Sequence, residues 1–249
     1  MMEREKRAVL MVDSSASMLF FLGMILTRLG YVVSTTKTAE EALRMMDQDT
    51  PTLVISELTL PKMNGINLLR RVKEAPRLKM IPVIILTAET DPGLKDTCLR
   101  AGCEAYLSKP VEPDVLYRSI QAATESAPRH YIRLAASLTV SVGDGSVLGG
   151  AVRTEYATAI SEGGLYVRTL YPQPRDTLTP LTLFVGGREI NAKAVVLYSF
   201  SVGEGPFKEP GMGMKFTSIS EEDRRAIREF IKQQLTSDLS LSDVSAADD

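Results

Sequence analysis

Hydrophobic and polar positions follow two alternating periods along the first half of the chain. Short runs of β-branched and apolar residues are separated by longer segments with apolar residues every three to four positions. The short runs predict strands at 8–12, 31–35, 53–57, 83–87 and 104–107. The longer segments predict helices ending at 29, at 40–47, 66–74 and 91–101, and from 112 onward. Five β/α units of this kind predict a doubly wound, five-stranded parallel sheet covered by helices.

The pattern changes after Glu125. Strand-like runs punctuated by Gly and Pro replace the helical period, and they lie at 137–142, 152–160, 164–169, 181–185 and 190–199. Closely spaced strands with turn signals predict a small antiparallel barrel or sandwich. The second half is therefore expected to form a separate all-β domain.

A last helix is predicted near the end of the chain. Ser220 followed by acids at 221–223 is typical of a capped helix start, and Ile227, Phe230, Ile231 and Leu235 fall on one face. From Ser237 the sequence is rich in Ser, Asp and Ala and contains no basic residue, which predicts disorder. We therefore divide the chain into domains at 1–125 and 126–236, followed by a disordered acidic tail at 237–249.

The first predicted helix is apolar on nearly all sides, whereas a surface helix normally has one apolar stripe. We expect Phe21, Leu22, Ile25 and Leu29 to face the sheet. The outward patch would then consist of Leu19, Phe20, Gly23 and Met24. Exposed apolar patches of this kind often mark contacts. Two alternatives remain: another element of this chain covers the helix, or the helix mediates self-association or binds an unidentified protein partner.

Charge and composition exclude several functions. The chain of 249 residues contains 29 basic and 31 acidic side chains, so it lacks the basic surplus expected of a DNA-binding protein. No apolar stretch reaches the ~20 residues of a membrane span, and the charged start has no secretory cleavage site. Two Cys and one His leave little material for a metal site or a catalytic triad. We expect a cytoplasmic protein that is not an enzyme, holds no metal and contacts no membrane.

Four motifs in the first half carry a family resemblance: VLMVDSS, VISELTLPKMNG, VIILTAE and AYLSKP. Together they resemble the receiver domain of bacterial response regulators, which has a flavodoxin-like fold. That resemblance implies two acids after the first strand that hold a divalent metal, and a phosphoacceptor Asp after the third. Asp13 matches the first acid, but Ser14 stands where the second is expected and Glu57 stands where the phosphoacceptor belongs.

The remaining receiver positions agree with the family. Thr87, Tyr106 and Lys109 match its hydroxyl, its aromatic switch and its phosphate-binding lysine. Because in-line phosphoryl transfer depends on positioning, the longer Glu57 side chain predicts that the domain is not phosphorylated. We expect Glu57 to form an ion pair with Lys109. Such a pseudo-receiver is either biased permanently toward one signalling state or an inert scaffold.

Three motifs in the second half, PRHYIR, ATAISEGGLYV and GMGMKF, resemble the PilZ domain, a small barrel that binds cyclic di-GMP. The resemblance implies that Arg129 and Arg133 bind the ligand together with Ser161, Gly163 and Gly164. Planar guanidinium groups suit phosphate oxygens and guanine edges. The spacing alone is weak evidence, and we interpret the same spacing at 224 and 228 as chance.

One departure weakens the expected ligand site. Ala159 stands where the family has Asp or Asn. The lost hydrogen bond is worth ~1–3 kcal/mol, which lowers affinity roughly tenfold to a hundredfold. The sequence thus predicts a cytoplasmic signalling protein that couples cyclic di-GMP binding to a receiver without a phosphoacceptor Asp. The alternative is a protein-interaction adaptor in which both ancestral sites are degenerate.

Overall fold

The computed structural model describes residues 7–146, 150–205 and 208–237. These residues form two compact units, one of residues 131–234 and the other of the residues before and after that range. Most of the tail predicted at 237–249 lies outside the described residues.

The first unit contains a five-stranded parallel sheet with the strand order β2-β1-β3-β4-β5. This confirms the predicted doubly wound fold. Its strands are β1 (Ala8–Val12), β2 (Val32–Thr36), β3 (Leu53–Ser56), β4 (Val83–Thr87) and β5 (Ala105–Ser108). Its helices are α1 (Ala16–Arg28), α2 (Ala39–Gln48), α3 (Gly65–Glu74), α4 (Pro92–Arg100) and α5 (Pro113–Thr124).

Both faces of this sheet are buried, which explains the uninterrupted apolar sequence of its inner strands. Val54 and Ile85 belong to one core layer, and Ile55 and Ile84 belong to the layer on the opposite face. Because side chains alternate along a strand, each inner strand supplies both layers. Because the strands are parallel, the residues at their carboxyl ends lie together at one edge of the sheet.

Helix α1 buries the predicted face, because Phe21, Leu22, Ile25 and Leu29 all pack in one core cluster, but its buried surface also extends to Leu19. Leu19 is only 7% exposed and packs in the core with Leu22, Ile25 and Leu26. The assignment of Leu19 to an outward patch is therefore wrong. Phe20 is 53% exposed, whereas Gly23 and Met24 are half-buried. The sequence could not decide between these faces because apolar residues surround the helix.

The second unit is a closed six-stranded barrel with the order β10-β11-β8-β7-β6-β9, which settles the choice between barrel and sandwich. All six strand pairs of the ring are antiparallel. The strands are β6 (Leu134–Val142), β7 (Arg153–Ser161), β8 (Gly164–Arg168), β9 (Leu178–Val185), β10 (Arg188–Phe200) and β11 (Gly211–Ser218). Helix α6 (Glu221–Thr236) follows β11.

Helix α6 begins as predicted, because Ser220 Oγ accepts a hydrogen bond from the backbone N–H of Asp223 at 3.0 Å. Ile227, Ile231 and Leu235 are buried and Phe230 is half-buried. None of the helices in the described ranges is long and apolar enough to cross a bilayer.

Candidate functional site

The carboxyl edge of the parallel sheet gathers the receiver residues singled out from the sequence. Asp13 follows β1 and Glu57 follows β3, while Thr87 ends β4 and Lys109 follows β5. Functional groups of open α/β sheets collect at this edge. The structure brings Asp13, Glu57 and Lys109 into direct contact.

Lys109 forms two ion pairs at this edge. Its ammonium group donates to Asp13 Oδ2 at 2.5 Å and also to Glu57 Oε2. The three side chains are only 13%, 8% and 9% exposed, for Lys109, Asp13 and Glu57. The expected pair between Glu57 and Lys109 is confirmed, and Asp13 is a second partner of Lys109 that the sequence did not predict.

The carboxylate of Glu57 is fixed at its other oxygen as well. Oε1 accepts hydrogen bonds from the backbone N–H groups of Leu58 at 2.6 Å and Thr59 at 3.1 Å. Burial raises the pKa of Glu57, but the hydrogen bonds from Lys109, Thr87 and Thr59 lower it by more, so the pKa lies below its ordinary value. Glu57 is therefore ionised at neutral pH, as an ion pair requires.

The other receiver positions surround this pair. Thr87 is fully buried, and its hydroxyl accepts a hydrogen bond from the backbone N–H of Glu89 at 3.2 Å. Tyr106 is half-buried and donates to the backbone carbonyl of Glu89 at 2.9 Å. Burial raises the pKa of the Tyr106 hydroxyl. Ser14 is exposed.

The donor set at this edge does not fit the magnesium ion that the receiver resemblance implies. Such an ion requires several oxygen ligands. Both available carboxylates, from Asp13 and Glu57, already bind the Lys109 ammonium group, and Ser14 supplies no second acid after β1. Within the described ranges, no group of three or more His, Cys, Asp or Glu side chains could hold a metal ion.

The turn between β7 and β8 contains three of the ligand residues expected in the second half. Ser161 ends β7, and its hydroxyl donates to the carbonyl of Gly164 at 3.0 Å. A Cβ at Gly164 would lie 2.0 Å from the carbonyl oxygen of Met214, so only glycine fits there. The hydroxyl oxygen of Ser161 retains lone pairs with which it can accept a hydrogen bond.

Helix α6 anchors this turn through Glu162. Arg228 donates to Glu162 Oε2 from Nη2 at 2.7 Å and from Nε at 2.9 Å, and Arg224 donates to the Glu162 carbonyl at 2.5 Å. The common partner of these two arginines lies more than sixty residues earlier in the chain, and this contact gives them a structural role that is separate from the ligand motif.

The two candidate ligand arginines belong to different units. Arg129 lies in the first unit, one residue before the end of its main range at His130. The backbone N–H of Arg129 donates to Gln121 Oε1 at 3.2 Å. Gln121 is 1% exposed and also donates from Nε2 to the Tyr31 hydroxyl at 3.1 Å. Arg133 lies in the second unit just before β6 and is exposed, and it makes no ion pair within the described ranges.

An aromatic row lies beside the position of the missing anchor. Ala159 pairs with Tyr166, and Tyr166 pairs through Gly213 with Tyr198. The ring centroids of the two tyrosines are 6.4 Å apart. A Cβ at Gly213 would lie 2.2 Å from the Tyr198 ring, so glycine lets the ring lie against β11. This surface offers exposed ring area next to Ala159.

Comparisons with known proteins agree with both halves of this description. The profile of the response regulator receiver domain matches residues 9–121, and that of the PilZ domain matches residues 124–233. The uncharacterized 14.6 kDa protein in the sodA1 3′ region of Leptolyngbya boryana is 34% identical over 113 residues, which are 45% of this chain and 86% of the relative.

Two further relatives are similar to the chain. The two-component response regulator ORR3 of Oryza sativa subsp. indica is 35% identical over 111 residues, or 44% of this chain and 85% of ORR3. The signal receiver domain of a histidine kinase from Syntrophus aciditrophicus is 31% identical, with a TM-score of 0.46, and the match covers 49% of this chain and 92% of that domain. The chain therefore belongs to the response regulator receiver family through residues 9–121 and to the PilZ family through residues 124–233.

Proposed function

We propose that this signalling protein binds cyclic di-GMP through its PilZ unit and couples that binding to a receiver that accepts no phosphoryl group. The observation that carries the ligand assignment is the exposed Arg133 ahead of β6, within a PilZ barrel that retains the Ser161–Gly164 turn. We place the protein in the cytoplasm and assign it no catalytic activity.

The chemistry of the retained residues suits a dinucleotide with two phosphates. The guanidinium groups of Arg129 and Arg133 can bind phosphate oxygens or a guanine edge with paired N–H donors. Ser161 can accept a hydrogen bond from a base, and Gly163 lets the Tyr131 ring pack against the turn, because a Cβ there would lie 2.8 Å from that ring. Tyr166 adds a ring face on which a base can stack. The ligand gains stacking area where Ala159 has removed a polar anchor.

The receiver unit is proposed to remain in one state. Lys109 would contact a phosphoryl group in a phosphorylated receiver, but here it is bound to Glu57 and Asp13. A phosphodonor would have to break both ion pairs and react at a carboxylate displaced by one methylene. Supporting evidence is the set of four hydrogen bonds and ion pairs that fixes Glu57 and Lys109 together.

Coupling between ligand and receiver would run through the segment after α5. The backbone of Arg129 is bound to Gln121, whose other end is bound to Tyr31 in the receiver. A ligand that requires one position of Arg129 therefore favours one arrangement of this segment. The coupling free energy equals the difference in ligand affinity between the alternative arrangements.

Isothermal titration calorimetry with cyclic di-GMP tests the ligand assignment. Cyclic di-GMP should bind the full chain at one site with measurable heat. Arg133→Ala should weaken this binding at least tenfold, a loss of ~1.4 kcal/mol in binding free energy. Arg175→Ala is the matched control, because Arg175 is an exposed arginine of the same unit. Equal binding by all three proteins would reject Arg133 as a ligand residue.

A second candidate function is a protein-interaction adaptor without a small ligand. Ala159 favours it, and so does the exposed Phe20 on α1. Absence of heat with cyclic di-GMP at high concentration would support the adaptor. Incubation with a small phosphodonor and magnesium tests the phosphorelay separately: a stable mass gain on the receiver unit would overturn the proposal that its site is closed.

A further inference from the structure

The barrel has a polar cavity at the end opposite α6. Strand β7 begins at Arg153 and ends at Ser161, beside the turn that α6 anchors, so its two ends are eight positions apart, or roughly 26 Å at ~3.3 Å per residue. The cavity has a volume of about 170 Å³. Its walls include Arg153, Glu155, Thr169, Tyr171, Gln173 and Met212. Barrel mouths are a common location for ligand sites.

Two opposite charges face this cavity without neutralising each other. Arg153 and Glu155 are two residues apart on β7 and therefore point to the same side of the strand. Neither side chain forms an ion pair within the described part of the chain. The Arg153 guanidinium lies 4.6 Å from the centre of the Tyr171 ring, and Glu155 Oε1 accepts a hydrogen bond from the Thr169 hydroxyl at 2.7 Å.

Both charges are held in place by neighbouring groups. Thr169 is only 4% exposed, and its hydroxyl oxygen accepts the backbone N–H of Tyr171 at 3.0 Å, so its proton is directed to Glu155. The Tyr171 ring holds Arg153 by a cation–π contact. The buried Thr179 hydroxyl binds the Gln173 side chain in the same wall. A ligand would therefore meet positioned groups, which lowers the entropic cost of binding.

We propose that this cavity binds a small zwitterion of the α-amino acid type. The ligand carboxylate would take the paired donors of Arg153, and the ligand ammonium group would take the carboxylate of Glu155. The volume corresponds to about five or six water molecules at ~30 Å³ each, which suits a compact amino acid such as glycine or alanine. The site lies apart from the Ser161–Gly164 turn and shares no residue with it.

Ligand-observed NMR and thermal shift on the full chain test this site with glycine and alanine. Both should bind with a dissociation constant near ~1 mM. Acetate and methylammonium, which carry one charge each, should bind at least tenfold more weakly. Arg153→Gln and Glu155→Gln should each weaken glycine binding at least tenfold. Arg168→Gln should not, because Arg168 carries the same charge on the neighbouring strand but does not line the cavity.

Three results would overturn the proposal. The first is no binding of glycine or alanine at about ten times that dissociation constant. The second is acetate binding as tight as glycine binding, and the third is an equal loss with Arg168→Gln. Glu155→Gln keeps the acceptor for Thr169, so its fold should survive, and an unchanged melting temperature checks this. The comparison of single-charge probes on the natural chain decides the matter even if a variant unfolds.

Discussion

Lys109 is the residue on which the receiver site depends. One buried ammonium group forms ion pairs with two carboxylates, those of Asp13 and Glu57. Lys109→Met would leave two buried carboxylates without a cation, and breaking a buried pair in this way costs ~3–5 kcal/mol. Urea unfolding of the full chain should show this loss in the free energy of unfolding of the receiver unit. A change below ~1 kcal/mol, the size of an exposed pair, would contradict the buried ion-pair network.

The pH dependence of the same site follows from Glu57. Its pKa in the folded protein lies below the ordinary value of 4.5, so the stabilisation is present above 4.5 and is lost as pH falls through the folded value. Glu57→Gln removes this titration. Urea unfolding at about pH 7 and about pH 3 should therefore show a smaller pH-dependent loss of stability for Glu57→Gln than for the natural chain. An identical loss in both proteins would show that Glu57 does not contribute.

At the scale of elements, the β7–β8 turn and α6 form one structural unit. Glu162→Gln weakens the two hydrogen bonds from Arg228 and should lower the free energy of unfolding of the barrel by ~1 kcal/mol, since Arg228 is half exposed. Glu229→Gln on the same helix is the control and should have no effect. Thermal unfolding of both variants makes the comparison, and equal stability would show that the anchor is unimportant.

The sequence predicted the elements better than their contacts. The alternation of strand-like and helix-like segments predicted the parallel sheet, and Ser220 predicted the start of α6. Both predictions succeeded because strand burial and helix capping are patterns of neighbouring residues. Leu19 was misplaced because an all-apolar helix has no polar face to orient it. The contact between Arg228 and Glu162 could not be predicted because the two residues are distant in sequence. The cavity at Arg153 and Glu155 was missed because only barrel closure makes it.

At the scale of the whole molecule, Gln121 forms hydrogen bonds both to the backbone of Arg129, a proposed ligand residue, and to Tyr31 in the receiver. Gln121→Leu would remove the acceptor of the Arg129 backbone N–H and should weaken cyclic di-GMP binding by roughly threefold to tenfold, the effect of one neutral hydrogen bond of ~1 kcal/mol. Gln121→Glu keeps an acceptor and should restore affinity. Calorimetry with cyclic di-GMP on both variants tests the role of this hydrogen bond. Equal weakening of ligand binding by Gln121→Leu and Gln121→Glu would indicate a packing effect instead.

The central claim is that cyclic di-GMP binds at Arg129, Arg133 and the β7–β8 turn. The most direct measurement is a two-dimensional ¹H–¹⁵N NMR titration of the full chain with this nucleotide. We predict saturable shifts of the amides of Arg129, Arg133, Ser161, Gly163 and Gly164, with no shift at Glu57. An unchanged spectrum at those five amides under saturating nucleotide would contradict the account.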